Sequence, residues 1–292
     1  MCKTSRMPEW FSGDVVANGV RIHYYRTGGE KPPLVLSHGA TDSGLCWTLV
    51  ARMLESDYDV IMPDARGHGL SDAPQSGYAS SDRAADLAGL IDALGLQRPA
   101  VGGHSMGGAT TLRLVADYPE LISCAILEDP PFRSGEPNPP ASGQADPRAA
   151  MRRVVLGAHS DGLEATIAHG RAASPTWAEE EFEPWAEAKR RVSLNFLDDL
   201  TGRGSAQEWR ELLPRVRCPV LLVTSDPELG GIVTPDVAQE ATRLRPSLQA
   251  VRLSGAGHNV RREQFEAFVR GVRDFLAATY TPSALQIQQR AH

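Results

Sequence analysis

The chain has 292 residues, enough to bury a large core as one domain or two. Its 30 Lys and Arg stand against 36 Asp and Glu for a net charge of −6, with no basic patch, so nucleic acid is not an expected partner. The cysteines Cys2, Cys46, Cys124 and Cys218 are too scattered for a disulfide framework or a metal site, and neither a secretory h-region nor a long apolar run is present, so a soluble, cytoplasmic protein without membrane contact is expected.

In chain order, Asn18-Gly19 between two short alternating runs predicts a hairpin with a tight primed turn. PLVLSHG (33–39) and DVIMPDARG (59–67) read as buried strands ending in glycine, with a helix over 44–56 between them. Residues 81–94 carry Ala84, Leu87, Ala88, Leu90, Ile91 and Leu94 at helical spacing, with Ser80 or Ser81 as the N-cap. RPAVGGHS (98–105) is a strand that runs into a helix over 106–118, stopped by Pro119, and CAILED (124–129) is the next strand. Prolines crowd 130–147 as in a loop or hinge, and 148–213 then read as helices without a strand. Alternation resumes with CPVLLVTS (218–225), a helix over 235–245, QAVRLSG (249–255) and a helix over 262–278, before a polar tail.

This alternation predicts an α/β class protein, a doubly wound, mostly parallel sheet with a helical lid inserted after the middle strands. The divisions are 1–131 and 215–278 for the core, 132–214 for the cap and 279–292 for the tail. Ligands in such sheets bind at the carboxyl ends of the strands. Ser105 follows one of those ends.

Gly103-His104-Ser105-Met106-Gly107 fits the G-x-S-x-G nucleophile elbow, a strained strand-to-helix turn that lifts a hydroxyl clear of the sheet. Small flanking residues are required because strand and helix approach closely there, and the helix N-terminus favours developing negative charge. A glycine-rich turn without chemistry would satisfy the same five residues. Three further elements decide between the two: His38-Gly39-Ala40 closing an earlier strand, DARGHGLSD (64–72), and SGAGHN with His258 after the last strand. Their order and spacing resemble the α/β-hydrolase fold superfamily over roughly residues 14–278.

The resemblance implies Ser105 as nucleophile, His258 as base and then acid, and the backbone N–H groups of Ala40 and Met106 as the oxyanion hole. It leaves two positions for the triad acid. Asp129 directly follows a strand about two dozen residues past the serine, as in zearalenone-type lactonases; Glu228 falls at the more frequent site, where Ser225 replaces the usual glycine. Asp129 is preferred, Glu228 is the alternative acid, and Asp226 or Glu128 remain behind them. His104, His38 and His68 are expected to pack or fix loops, as are Asp64, Arg66 and Asp72. With serine at the elbow, dehalogenase and epoxide-hydrolase chemistry of this fold is excluded.

What remains is hydrolysis of an ester or lactone, or a thioester, through an acyl-enzyme. The alternatives are amide or C–C cleavage, or a triad-retaining receptor with little turnover. Trp177 and Trp185 in the cap are candidate substrate-binding residues for a partly apolar small molecule, and the EEEFE run at 179–183 reads as a solvated face. No cofactor is expected, since the glycines at 102–108 do not form G-x-G-x-x-G. A homodimer is left open.

Overall fold

The computed structural model describes residues 10–133, 147–199 and 208–280. Its strands are β1 (Phe11–Ala17), β2 (Val20–Arg26), β3 (Pro33–Ser37), β4 (Asp59–Pro63), β5 (Ala100–His104), β6 (Cys124–Glu128), β7 (Val220–Thr224) and β8 (Leu248–Arg252). They form one sheet in the order β1-β2-β4-β3-β5-β6-β7-β8. β1 and β2 pair antiparallel, as do β2 and β4, and all other pairs are parallel. Every residue of β3 to β7 is buried, which is why those runs are apolar through their centres rather than alternating. The tight turn joining β1 and β2 has Asn18 at φ 50° and Gly19 at φ 74°, as the Asn-Gly pair predicts.

The helices are α1 (Thr48–Leu54), α2 (Ser80–Ala93), α3 (Met106–Asp117), α4 (Pro147–Ser160), α5 (Leu163–Ala173), α6 (Phe182–Arg191), α7 (Leu194–Asp199), α8 (Glu208–Leu212), α9 (Pro235–Leu244), α10 (Val260–Glu263) and α11 (Phe265–Thr279). β3 shows how they cover both faces: Val35 packs with residues of α2, α3 and α9, while Leu34 and Leu36 pack with α1 and α11. Helices α4 to α8 fall between β6 and β7, the sixth and seventh strands in the sheet order. No helix among the described residues is long and apolar enough to cross a membrane.

Several boundaries differ from the sequence reading. The helix expected over 44–56 is a 3-10 turn (Gly44–Trp47) followed by α1, and the one over 262–278 is divided at Gln264 into α10 and α11. α2 starts one residue early, with Ala79 as N-cap in place of a serine; the Ala79 N–H donates to the Asp82 carboxylate at 3.0 Å, the half of a capping box that an acidic side chain in the first turn supplies. Phe132, Trp209, Leu212 and Leu213 lie in the stretch assigned to the cap but belong to the core beside the sheet, with Phe132 stacked on Trp209 at 4.8 Å. Thr279 ends α11, and Tyr280 is buried with its hydroxyl donating to Pro33 O at 2.9 Å, so the body extends to residue 280; the rest of the tail lies outside the described residues.

Candidate active site

Ser105 sits between β5 and α3 with φ 51° and ψ −114°, a conformation L-residues avoid. The glycines explain how the turn closes. A Cβ on Gly103 would lie 2.3 Å from the Gly107 backbone, and one on Gly107 would lie 2.2 Å from Ser37 O. Only residues without side chains let β5, β3 and the first turn of α3 meet here. The Ser105 N–H donates to Glu128 O at 2.9 Å, which ties the elbow to the end of the neighbouring strand β6. Met106 opens α3, so its N–H is among the four without an intrahelical acceptor.

Asp129 follows β6 directly. It is fully buried and adopts φ 36°, the left-handed region that Asp tolerates better than most residues. Its carboxylate accepts from three N–H groups: Ile232 N at 2.9 Å, Val233 N at 3.0 Å and His258 Nδ1 at 2.7 Å. A carboxylate only accepts, so the shared proton belongs to Nδ1, and in the neutral ring this puts the lone pair on Nε2. His258 keeps its side chain 30% exposed, while Asp129 behind it is sealed. The His104 Nε2–H donates to His258 O at 2.9 Å, and the two rings lie 4.6 Å apart, so the residue before Ser105 anchors the histidine loop. Among the described residues no hydrogen bond is made by the Ser105 hydroxyl itself.

The other acids are placed elsewhere. Glu228 is 67% exposed and pairs with Arg252 at 3.5 Å. Asp226 accepts from Gly255 N at 2.8 Å and pairs with Arg252, which braces the loop leading to His258. Glu128 accepts from Arg261 N at 2.9 Å; burial pushes its carboxyl up against the opposing pull of Arg261.

The Gly39–Ser43 turn carries Ala40. The Asp42 N–H closes it by donating to Gly39 O at 3.1 Å, and within it Thr41 is forced to φ 63°. His38 donates from Nδ1 to Gly39 O at 2.8 Å and accepts the Ala65 N–H at Nε2, 2.9 Å. His68 likewise donates to Arg66 O and accepts the Thr41 N–H. Burial lowers the pKa of both rings, and each bonding pattern is that of a neutral imidazole. Asp64 accepts from Gly44 N at 2.7 Å and Leu70 N at 2.8 Å, and Arg66 pairs with Asp86, so these side chains fix loops. Of the five non-glycine residues at positive φ among the described residues, three, namely Thr41, Ser105 and Asp129, lie in these turns at the carboxyl ends of the strands.

Above Ser105 the ceiling is apolar. Met106 clusters with Tyr78, Val155, Val192, Phe196 and Leu197, against which Ala40 and Ala65 pack. Trp177 and Trp185 are not in that cluster; they pack with Ile167 and Phe182 within the inserted helices. Arg262 lies 4.4 Å over Trp177 and Lys189 lies 4.9 Å over Trp185.

Those cations belong to a buried network that the sequence reading did not find. Asp42 pairs with Lys189 at 2.8 Å and with Arg261 and Arg262 at 3.3 Å each; Arg261 reaches Glu128, and Arg262 reaches Glu181 at 2.8 Å. Burial would raise the Asp42 carboxyl, but Arg262, Lys189 and Arg261 outweigh it and hold it well below the usual carboxylate range. Glu181 corrects the reading of 179–183 as a solvated face: Glu179, Glu180 and Glu183 are exposed, but Glu181 is buried because Arg262 supplies its counter-charge. No local pattern pairs residues so far apart in sequence.

A family model for the alpha/beta hydrolase fold matches residues 32–261. N-formylmaleamate deformylase of Pseudomonas putida is 30% identical over 269 residues, spanning 90% of this chain and 96% of that protein. 2-(Acetamidomethylene)succinate hydrolase of Mesorhizobium japonicum is 27% identical over 259 residues, 87% of this chain and 91% of that one. Among solved structures, an N-formylmaleamic acid deformylase from Pseudomonas putida superposes with a TM-score of 0.76 at 26% identity, covering 90% of this chain and all of that one. An esterase from Rhodococcus does so with 0.71 at 28% identity over 94% of this chain.

Proposed function

Because this chain belongs to the α/β-hydrolase fold family and is a hydrolase, we propose that it cleaves a carboxylic acyl bond of a small substrate through a covalent acyl-enzyme on Ser105. The observation that carries this reading is the 2.7 Å pair between His258 Nδ1 and a sealed Asp129, together with a strained serine at the end of the neighbouring strand whose preceding residue, His104, bonds the His258 carbonyl. His258 Nε2 takes the Ser105 proton as Oγ attacks the carbonyl carbon, and the N–H groups of Ala40 and Met106 receive the oxyanion. His258 then returns the proton to the leaving group as the acyl bond breaks. Water, activated by the same imidazole, releases the acid and regenerates Ser105. Asp129 is the triad acid in this account.

An ester or lactone is the bond the elbow suggests, and a Rhodococcus relative is an esterase. A second reading, hydrolysis of an N-acyl bond, is favoured by two relatives named for a deformylase and an acetamido-compound hydrolase. The apolar ceiling around Met106, Val155 and Phe196 supports a small, partly apolar substrate in either case. A panel of p-nitrophenyl acetate, simple lactones and N-formyl or N-acetyl amides, run on the wild type and Ser105→Ala, tests both. Turnover of the first two alone supports the ester or lactone reading. Preferential turnover of the amides supports the second, and a single slow turnover with all of them contradicts both.

A further inference from the structure

Lys189 has a role that the triad leaves unexplained. It comes from α6, in the helices inserted between β6 and β7, yet its buried ammonium donates to Thr41 O at 2.9 Å and to Asp42 Oδ1 at 2.8 Å, both in the turn that carries Ala40. We propose that Lys189 and Asp42 are positioning residues that lock the Ala40 N–H into its oxyanion-binding geometry, so that the seating of α6 sets the rate of acyl transfer. The inference rests on the reading of Ala40 as an oxyanion donor.

Three observations support it. First, the turn is not self-sustaining. Thr41 holds a left-handed conformation that a β-branched residue avoids, so something outside the turn must over-determine it, and Lys189 grips the carbonyl of that same residue. Second, Asp42 is a junction. Its carboxylate also meets Arg261 and Arg262, which follow His258 by three and four residues, and Arg261 reaches back to Glu128, whose carbonyl receives the Ser105 N–H. The oxyanion turn, the histidine loop and the elbow thus share one buried set of charges. Third, that set is balanced: Asp42, Glu128 and Glu181 offset Lys189, Arg261 and Arg262. The cations also rest on aromatic faces, Lys189 on Trp185, Arg262 on Trp177 and Arg261 on Trp47 at 4.4 Å. A cluster of this kind has one low-energy arrangement, which suits positioning and not mobility.

The test is Lys189→Met. Its unbranched stem preserves the packing on Trp185, and Asp42 retains two guanidinium partners, so the fold should survive, as circular dichroism and thermal melting will show. A misplaced donor is felt in the transition state, where the oxyanion exists. The expected result is a kcat for p-nitrophenyl acetate lower by about 10- to 100-fold with KM changed less than about threefold. The inhibition constant of phenylboronic acid, which forms a tetrahedral adduct on a serine, should rise by the same factor as kcat falls. Lys189→Arg, which keeps a cation and donors at this place, should recover part of both. Unchanged kcat and boronate affinity in a folded Lys189→Met protein overturn the inference and leave the serine hydrolase reading standing. A loss shared equally between KM and kcat, with boronate affinity untouched, also overturns it. If the wild type gives no boronate inhibition and no turnover lost in Ser105→Ala, both readings fall.

Discussion

Asp129→Asn isolates the acid of the triad with the smallest possible change of shape. The carboxylate serves three donors with two oxygens: the Ile232 and Val233 N–H groups and the His258 Nδ1–H. Asn has one acceptor oxygen and an NH2 group, and it tolerates the positive φ of this position as well as Asp does. If the oxygen stays with the two backbone N–H groups, the NH2 faces Nδ1 and forces the imidazole tautomer that carries its proton on Nε2. That tautomer cannot accept the Ser105 proton. Turning the amide over restores the productive tautomer, because Oδ2 serves both the His258 Nδ1–H and the Ile232 N–H, but it sets the new NH2 group against the Val233 N–H and leaves these two buried donors without acceptors, at about 1–3 kcal/mol each. The productive arrangement is therefore disfavoured by about 2–6 kcal/mol, and since 1.4 kcal/mol is a factor of ten, kcat should fall by about 30-fold to 10⁴-fold. The assay is steady-state hydrolysis of p-nitrophenyl acetate, with a melting curve to show that the protein is folded. Glu228→Gln, at an exposed side chain on Arg252, should stay within about twofold of wild type. A folded Asp129→Asn enzyme with more than a tenth of the activity, or the two variants ranked the other way, refutes this reasoning.

Two further predictions concern stability. Gly107→Ala puts a Cβ 2.2 Å from Ser37 O, a backbone atom that cannot rotate away, and should cost about 3 kcal/mol or more in urea denaturation, whereas Gly271→Ala in α11 meets nothing within 4 Å and should add about 0.5–1 kcal/mol. Equal midpoints for the two would show that the elbow is not as tight as described. Asp42 is held below its unfolded carboxyl value by its three cations, so its contribution is complete above the unfolded pKa of about 3.9 and is lost as pH falls through the lower folded value. Asp42→Asn should therefore destabilise by about 3 kcal/mol at pH 7, because three buried cations lose their shared anion, and the difference from wild type should shrink only below about pH 4. A constant difference down to pH 2 would contradict the linkage.

The parts of this protein that were legible in its sequence are those set by local rules. Buried parallel strands announce themselves as unbroken apolar runs, as LVL of β3 and LLV of β7 do, and the glycines of the elbow are dictated by backbone contacts within one turn. Helix ends were less legible: Ser80 and Ser81 both offer a hydroxyl at the start of α2, but the side-chain bond that forms there runs from the Ala79 N–H to Asp82 in the first turn. The rest depends on distance along the chain. Glu181 looks like its exposed neighbours until Arg262 is placed beside it, and Asp42, Lys189 and Arg261 have no common motif, since only the fold brings residues 42, 189 and 261 together. The choice between Asp129 and Glu228 was of the same kind. Each follows a strand at the site's edge, and what distinguishes them is the pair of N–H groups at Ile232 and Val233 that turns one carboxylate toward His258.

The central claim is that Ser105 is a nucleophile activated by His258, and a fluorophosphonate probe reads it without knowledge of the substrate. Wild-type protein should be labelled stoichiometrically, with the adduct located by peptide mass spectrometry on Ser105; His258→Gln should slow labelling by about 10³-fold or more, and Ser105→Ala should abolish it. Labelling at another residue, or a folded Ser105→Ala protein that is still labelled and still hydrolyses p-nitrophenyl acetate, would contradict it.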